Sequence, residues 1–254
     1  LHPASSVVGR ARARGELVNT HHADRVRRIM IPHPVIERSG ITIRGFTLGP
    51  WQTNCYVVSA EASAGQPAAC WLIDASFTPG RMIAQIRDSG LRPSLLLLTH
   101  AHLDHIAGVA ECCNAFAPLP VAIHAEEARW LGDPELNLSM LTGLPTTAPG
   151  PDRELSDDET LVLGKHDCRV LHVPGHSPGS VAFYFPGANT VIAGDALFRE
   201  SVGRTDFPNS SPQVLARSIR TRLYTLPSAT MVLPGHGPAT TIAHELKHNP
   251  FVRG

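Results

Sequence analysis

Thr99-His100-Ala101-His102-Leu103-Asp104-His105 is the stretch on which the reading of this chain turns. It follows directly on the apolar run Ser94–Leu98, which reads as a buried strand. Three histidines and an aspartate within six residues form a dense set of nitrogen and oxygen ligands, suited to Zn²⁺ and also to Fe or Mn. If the chain stays extended, His100 and His102 point the same way. Asp104 and His105 then lie past the turn and can face a second ion. Three later stretches set a ligand-type residue at the end of a predicted strand. His176 stands in Val173-Pro-Gly-His-Ser-Pro-Gly179, Asp195 in Ala193-Gly-Asp195, and His236 in Leu233-Pro-Gly-His-Gly-Pro238. A glycine beside a ligand lets backbone approach a crowded site closely. Each stretch alone is weak, but four strand-end signals together specify a metal centre.

The rest of the chain supplies the frame. Its 254 residues are 43% hydrophobic and 17% charged, enough apolar material for a sizeable core. Lys plus Arg equals Asp plus Glu at 22 each, so no electrostatic argument favours a nucleic-acid partner. No apolar run approaches the roughly 18 residues of a membrane span. Residues 1–34 are rich in arginine and poor in acids, and are expected to be a disordered or non-native tail outside a domain over 35–254. Strands are predicted at Ile41–Leu48, Asn54–Ser59, Ala69–Asp74, Ser94–Thr99, Val121–His124, Thr160–Val162, Cys168–Val173, Val181–Phe185, Thr190–Ala193 and Thr230–Leu233. Helices are predicted at Pro79–Ser89, Ile106–Phe116, Pro212–Leu226 and Thr241–His248. Pro134–Pro151 reads as a loop or short-helix insertion. Two packed sheets flanked by helices follow from this grouping. The five cysteines, Cys55, Cys70, Cys112, Cys113 and Cys168, lack a disulfide pattern and read as buried thiols of a cytoplasmic protein. His124, His166, His172, His244 and His248 have no ligand-type context.

In this order, His-x-His-x-Asp-His, Pro-Gly-His, Gly-Asp and Pro-Gly-His resemble the signature of the metallo-β-lactamase superfamily. Leu48–Tyr56, Gly194–Phe198, Val202–Phe207 and Asn249–Phe251 are similar to the short glyoxalase II-like hydrolases, and the likeness covers about residues 36–254. It implies an α/β (α+β) fold, a four-layer αββα sandwich with two divalent ions at one edge, Zn²⁺ foremost and Fe or Mn as alternatives. By that likeness His100, His102 and His176 would hold the first metal. Asp104, His105 and His236 would hold the second, and Asp195 would bridge both. Asp74 is either a supporting carboxylate behind the ligands or a strand-end turn residue. Arg204 is either a clamp for a substrate carboxylate or a structural ion-pair partner.

The implied activity is hydrolysis of a small-molecule thioester, such as S-lactoylglutathione or a related hydroxyacyl thiol conjugate, by a hydroxide that the metal pair generates. A thiol has a pKa near 8.5, so its thiolate departs without a proton donor, whereas an amide nitrogen needs one. Asp104 would orient the hydroxide, and Asp195 speaks against a true β-lactamase. Longer glyoxalase II enzymes carry an acidic residue and a tyrosine where this chain has Gly237 and Pro238, and an aromatic where it has Asp206. The thiol is therefore left open. The rival on the same fold is a persulfide dioxygenase with one iron. A nuclease and a non-catalytic scaffold rank lower.

Overall fold

The computed structural model describes residues 35–62 and 65–254, so the tail expected at 1–34 lies outside the described residues. In the first half, strands β1 (Ile36–Arg38), β2 (Ile41–Leu48), β3 (Thr53–Ala60) and β4 (Ala69–Ile73) pair antiparallel in sequence order. Helix α1 (Gly80–Asp88) returns the chain to β5 (Arg92–Leu97), parallel to β4. Helices α2 (Leu103–Ile106) and α3 (Val109–Ala115) precede β6 (Val121–His124), and β7 (Arg153–Leu155) completes a seven-stranded sheet. The second half adds β8 (Thr160–Leu163), β9 (His166–His172), β10 (Val181–Phe185) and β11 (Thr190–Gly194). A small hairpin, β12 (Leu197–Phe198) and β13 (Ser201–Val202), leads to helix α4 (Pro212–Ser218). Strands β14 (Met231–Pro234) and β15 (Thr240–Thr241) and helix α5 (Ile242–His248) end the chain. The second sheet has six strands in the order β15-β14-β11-β10-β9-β8.

Burial explains why the strands read as apolar runs. In β4, Trp71 and Ile73 face the second sheet, while Cys70 and Leu72 join Met82, Ile83 and Ile86 of α1. In β10, Val181, Phe183 and Phe185 face the first sheet, while Ala182 and Tyr184 join Leu215, Ile219 and Ile242 on the helical side. A strand covered on both faces loses the alternation of a half-exposed one. Three apolar layers between four structural layers make the αββα sandwich. At about 25 cal/mol per Å² of apolar surface, these layers are the main stabilising contribution.

The geometry places the site. Strands β4 and β5 run parallel, as do β11 and β14. Because β9 and β11 are each antiparallel to β10, they too run in one direction. The metal-type residues follow β5, β9, β11 and β14, so each sits at a strand's C-terminal end.

The expected helix over Ile106–Phe116 is divided at Ala107-Gly108 into α2 and α3. Gly108 donates its N–H to Ala75 O at 2.7 Å. A Cβ there would meet Ser76 O at 2.2 Å, so the helix breaks where backbone must lie against backbone. The long helix expected at Pro212–Leu226 is α4 followed by a wider turn over Ile219–Leu223. Strands β1 and β7 and the 3₁₀ segment Ala125–Gly132 had no sequence expectation. Replacing Gly108 with alanine should cost about 1–3 kcal/mol, the usual range for overpacking. Urea unfolding of the variant checks this, and a midpoint equal to that of the wild type would refute the close approach.

Candidate metal centre

His100 follows β5, which ends at Leu97, and His102 caps α2 in an extended conformation, so the helix begins within the motif. Asp104 and His105 therefore lie in the first turn of α2 rather than on a loop. His176 sits in the turn after β9, Asp195 follows β11, and His236 follows β14.

All seven residues named from the sequence meet. Nitrogens of His100, His102 and His176 lie within 4.8 Å of one another, as do ligand atoms of Asp104, His105 and His236, and of His100, His105 and Asp195. His102 Nδ1 is 2.9 Å from His176 Nε2. His236 Nε2 is 3.1 Å and His105 Nε2 3.5 Å from Asp104 Oδ2. Asp195 lies between the two sets. Its Oδ2 is 3.7 Å from His176 Nε2 and 3.5 Å from His236 Nε2, and its Oδ1 is 3.4 Å from His105 Nε2.

These spacings suit cations. With metal–ligand distances of about 2.0–2.2 Å, two ligands of one tetrahedral ion stand roughly 3.4 Å apart. His100 Nε2, His105 Nε2 and Asp195 Oδ1 are buried without a hydrogen-bond partner. Orphaned buried donors and acceptors are rare and costly, and three in one cluster fit divalent metal ions.

The opposite edges of the rings are held. His105 Nδ1 is 2.8 Å from Asp74 Oδ2. Asp74 also accepts from Thr99 N and from Thr99 Oγ1, each at 2.8 Å, and Thr99 Oγ1 lies 3.0 Å from His100 Nδ1. One buried carboxylate thus orients two ligand histidines, and the supporting reading of Asp74 is the one its contacts display. His176 Nδ1 is 2.8 Å from Arg204 O, and His236 Nδ1 is 3.2 Å from Trp51 O. A ring nitrogen that donates to oxygen leaves Nε2 as the free ligand atom.

Charge is balanced within the cluster. Burial holds His100 and His102 well below the usual imidazole range, aided by His105 for the first and His176 for the second. Burial lowers His176 too, although Asp195 opposes it. Neutral imidazole is the form that binds metal. Burial would raise Asp104 and Asp195, but the neighbouring histidines, His105 first, outweigh it and hold both below the usual carboxylate range. The reverse holds for His105 and His236. Burial lowers them, but Asp104 and Asp195 outweigh it and raise both. A bound cation would supply the positive charge that those two rings otherwise provide.

Several contacts had no sequence expectation. Thr53 donates Oγ1–H to Asp104 Oδ2 at 2.8 Å. Glu127 is fully buried and accepts from the backbone N–H groups of Ala101 and Gly179. Burial raises its carboxyl to about 7, against donors at Ser177, Ala101 and Gly179. Its place on the apolar side of Ala125–Gly132, with Trp130 and Leu131, was a signal available in the sequence. Trp130 and Phe207 flank His102 at 6.2 and 5.4 Å. The Arg204 guanidinium is held by both oxygens of Asp206, at 2.9 and 2.7 Å, and stands 4.4 Å from the centre of the Phe207 ring. His124, Glu126 and His172 also cluster. The two rings stack almost parallel at 4.2 Å, and lone pairs lying in parallel ring planes do not converge on one ion.

The family model of the metallo-beta-lactamase superfamily matches residues 48–236. The chain belongs to that superfamily, and is a metallo-hydrolase with a His/Asp centre for divalent metals. It is 39% identical to the probable metallo-hydrolase YqgX of Bacillus subtilis, over 83% of this chain and 97% of the relative. It is 34% identical to the hydroxyacylglutathione hydrolase GloC of Haemophilus influenzae, over 80% and 93%. Among solved structures, the BLEG-1 B3 metallo-beta-lactamase matches with a TM-score of 0.77 and 39% identity, over 84% of this chain and all of the other. TTHA1623 in a di-iron-bound form matches with 0.70 and 41%, over 82% and 99%.

A ligand at a hundred times its Kd stabilises the folded state by about 2.7 kcal/mol. Stripping metal from the protein should therefore lower its unfolding midpoint, and added Zn²⁺ should restore it. In Asp195→Ala, which removes the carboxylate facing both sets, the restoration should be smaller. Calorimetry with and without chelator reads this, and an indifferent wild-type midpoint would speak against a cation site.

Proposed function

We propose that this metallo-hydrolase cleaves a thioester of a small hydroxyacyl thiol conjugate, of the S-lactoylglutathione type, using a pair of Zn²⁺ ions. The carrying observation is the single cluster in which the Asp195 carboxylate faces both the His100/His102/His176 set and the Asp104/His105/His236 set. Bound there, divalent ions supply a nucleophile at neutral pH by lowering the pKa of water, and polarise the substrate carbonyl. The chain's own residues do the rest. Asp104, fixed by Thr53, would accept a hydrogen bond from the attacking group and keep it aimed. Asp195 holds the two positions at a fixed separation. Trp130, Phe198 and Phe207 flank the ligand rings and offer no proton to a leaving group. That suits a thiolate, which leaves without one.

The likeness to a hydroxyacylglutathione hydrolase supports this substrate class. The BLEG-1 likeness favours a second reading, hydrolysis of a β-lactam amide. We place the protein in the cytoplasm. Its five cysteines are unpaired, and no described helix is long and apolar enough to cross a membrane.

Purified protein should contain two equivalents of zinc and hydrolyse S-lactoylglutathione, with Asp195→Ala slower by at least two orders of magnitude. Turnover of a cephalosporin but of no thioester would replace this reading with the second. One iron per chain, with oxygen uptake on glutathione persulfide, would replace both.

Arg204 is mostly exposed, and a substrate carboxylate must share it with Asp206. Arg204→Ala should raise KM for glutathione thioesters several-fold with little change in kcat, the signature of lost uniform binding. Asp206→Ala should lower KM. Steady-state kinetics on both variants distinguish a clamp from a structural pair, for which neither KM moves.

A further inference from the structure

Three ligand nitrogens of the first cation position come from two different sheets. His100 and His102 lie on the loop after β5, and His176 on the turn after β9. A metal site tolerates only about half an ångström of misplacement, so something must hold these loops in mutual register. Val181 N–H donates to Thr99 O at 2.8 Å behind His100. Ahead of it, Ala101 N–H donates to Glu127 Oε2 at 2.6 Å, and Gly179 N–H donates to Glu127 Oε1 at 2.7 Å. Ala101 lies between the two ligand histidines of its loop, and Gly179 lies three residues after His176.

We propose that Glu127 is a positioning residue of the metal centre, whose buried carboxylate bridges the two ligand loops and so sets the first cation position. The reading rests on the two-cation site proposed above. A carboxylate fits this place for a specific reason. Both loops present an N–H, so the bridge needs an acceptor at each end; a carboxylate offers two, and the N–H groups of Ala101 and Gly179 favour its acceptor-only form against the effect of burial. Glutamine, of the same size, would face one N–H with its own NH₂ group. The short distances are those of charge-assisted bonds. The clamp is also packed against its partner. A Cβ on Gly179 would lie 2.8 Å from Glu127 Cγ. Three residues after Glu127, Trp130 lies against the His102 ring with planes 29° apart, so one short helix contacts both a ligand and the bridge.

The test is Zn²⁺ titration of the full chain, with a chromophoric chelator as competitor, on wild type, Glu127→Gln and the neighbouring, exposed Glu126→Gln. Wild type and Glu126→Gln should bind two equivalents. Glu127→Gln should bind one equivalent with unchanged affinity and the other at least tenfold more weakly. To assign the weakened position, the titration is repeated with Glu127→Gln placed in His236→Ala and in His102→Ala backgrounds. The added loss should appear in the His236→Ala background, where the first position remains, and be absent in the His102→Ala background. An equal added loss in both would make Glu127 a general stabiliser and overturn the proposal. Two tight equivalents in Glu127→Gln would overturn it as well. If wild type binds fewer than two, the two-cation reading itself fails. Should Glu127→Gln not fold by circular dichroism, Gly179→Ala serves instead, since it displaces the same carboxylate without removing its charge, and the same selective loss is expected.

Discussion

The centre depends on a seam of largely buried hydrogen bonds that ties the start of β3 in one sheet to the ends of β14 and β11 in the other. Asn54 N–H donates to Gly235 O at 2.7 Å, and the Asn54 side-chain amide donates to Pro234 O and Gly237 O. Tyr56 donates its hydroxyl proton to Pro234 O at 2.6 Å. Gly235 N–H donates to Gly194 O, fixing the His236 turn against the strand that carries Asp195. Apart from Gly237 the partners are buried, so losing one of them leaves a desolvated polar group, at a cost of about 1–3 kcal/mol. Residues that lie 136 positions apart in the chain, from His100 to His236, share one centre because this seam cannot slip.

The same rim also holds an arrangement that apolar packing would not select. Five imidazoles and two carboxylates crowd together with several ligand atoms unpaired, beside the supporting carboxylate of Asp74. Taking such groups out of water is expensive unless each is paired. The three apolar layers of the sandwich offset that cost, and the site's own charge pattern reduces it, with low-lying imidazoles on one side and carboxylate-paired ones on the other. Concentrated local conflict of this kind within an otherwise consistent fold is the usual mark of a functional site.

Much of this was legible in the sequence because metal ligands need particular side chains and strand ends leave them on short loops. His100, His102, Asp104, His105, His176, Asp195 and His236 could be named without coordinates, and β6 and β10 carry the expected bounds. Two kinds of feature escaped. Strands β1 and β7, three residues each, are too short to show a period, and exist because an adjacent edge offers them hydrogen bonds. The break at Gly108 and the contact of Thr53 arise from tertiary proximity, which no local pattern encodes; Glu127 stood out on an apolar face, but the two loops whose N–H groups it accepts did not. Asp74 stood between the two, since its strand-end place was visible but its service to two histidines was not.

Glycine contacts show which side of the centre is closed. A Cβ on Gly235 would lie 2.1 Å from Asp195 Oδ1 and 2.9 Å from His105 Cε1, and one on Gly203 would lie 1.8 Å from Asp195 O. On these sides backbone packs directly against the ligands and leaves no room for a substrate. His100 and His105 are sealed, whereas the Asp104 and His236 side chains are 18% and 28% exposed. The open face therefore lies over the Asp104/His236 end, beside exposed Trp51, whose carbonyl accepts from His236. A substrate arriving there meets the Asp104 carboxylate before it meets the three-histidine set. Asymmetric access of this kind lets one end of the cluster meet an incoming molecule while the deeper end stays shielded from solvent, where electrostatic interactions are strongest.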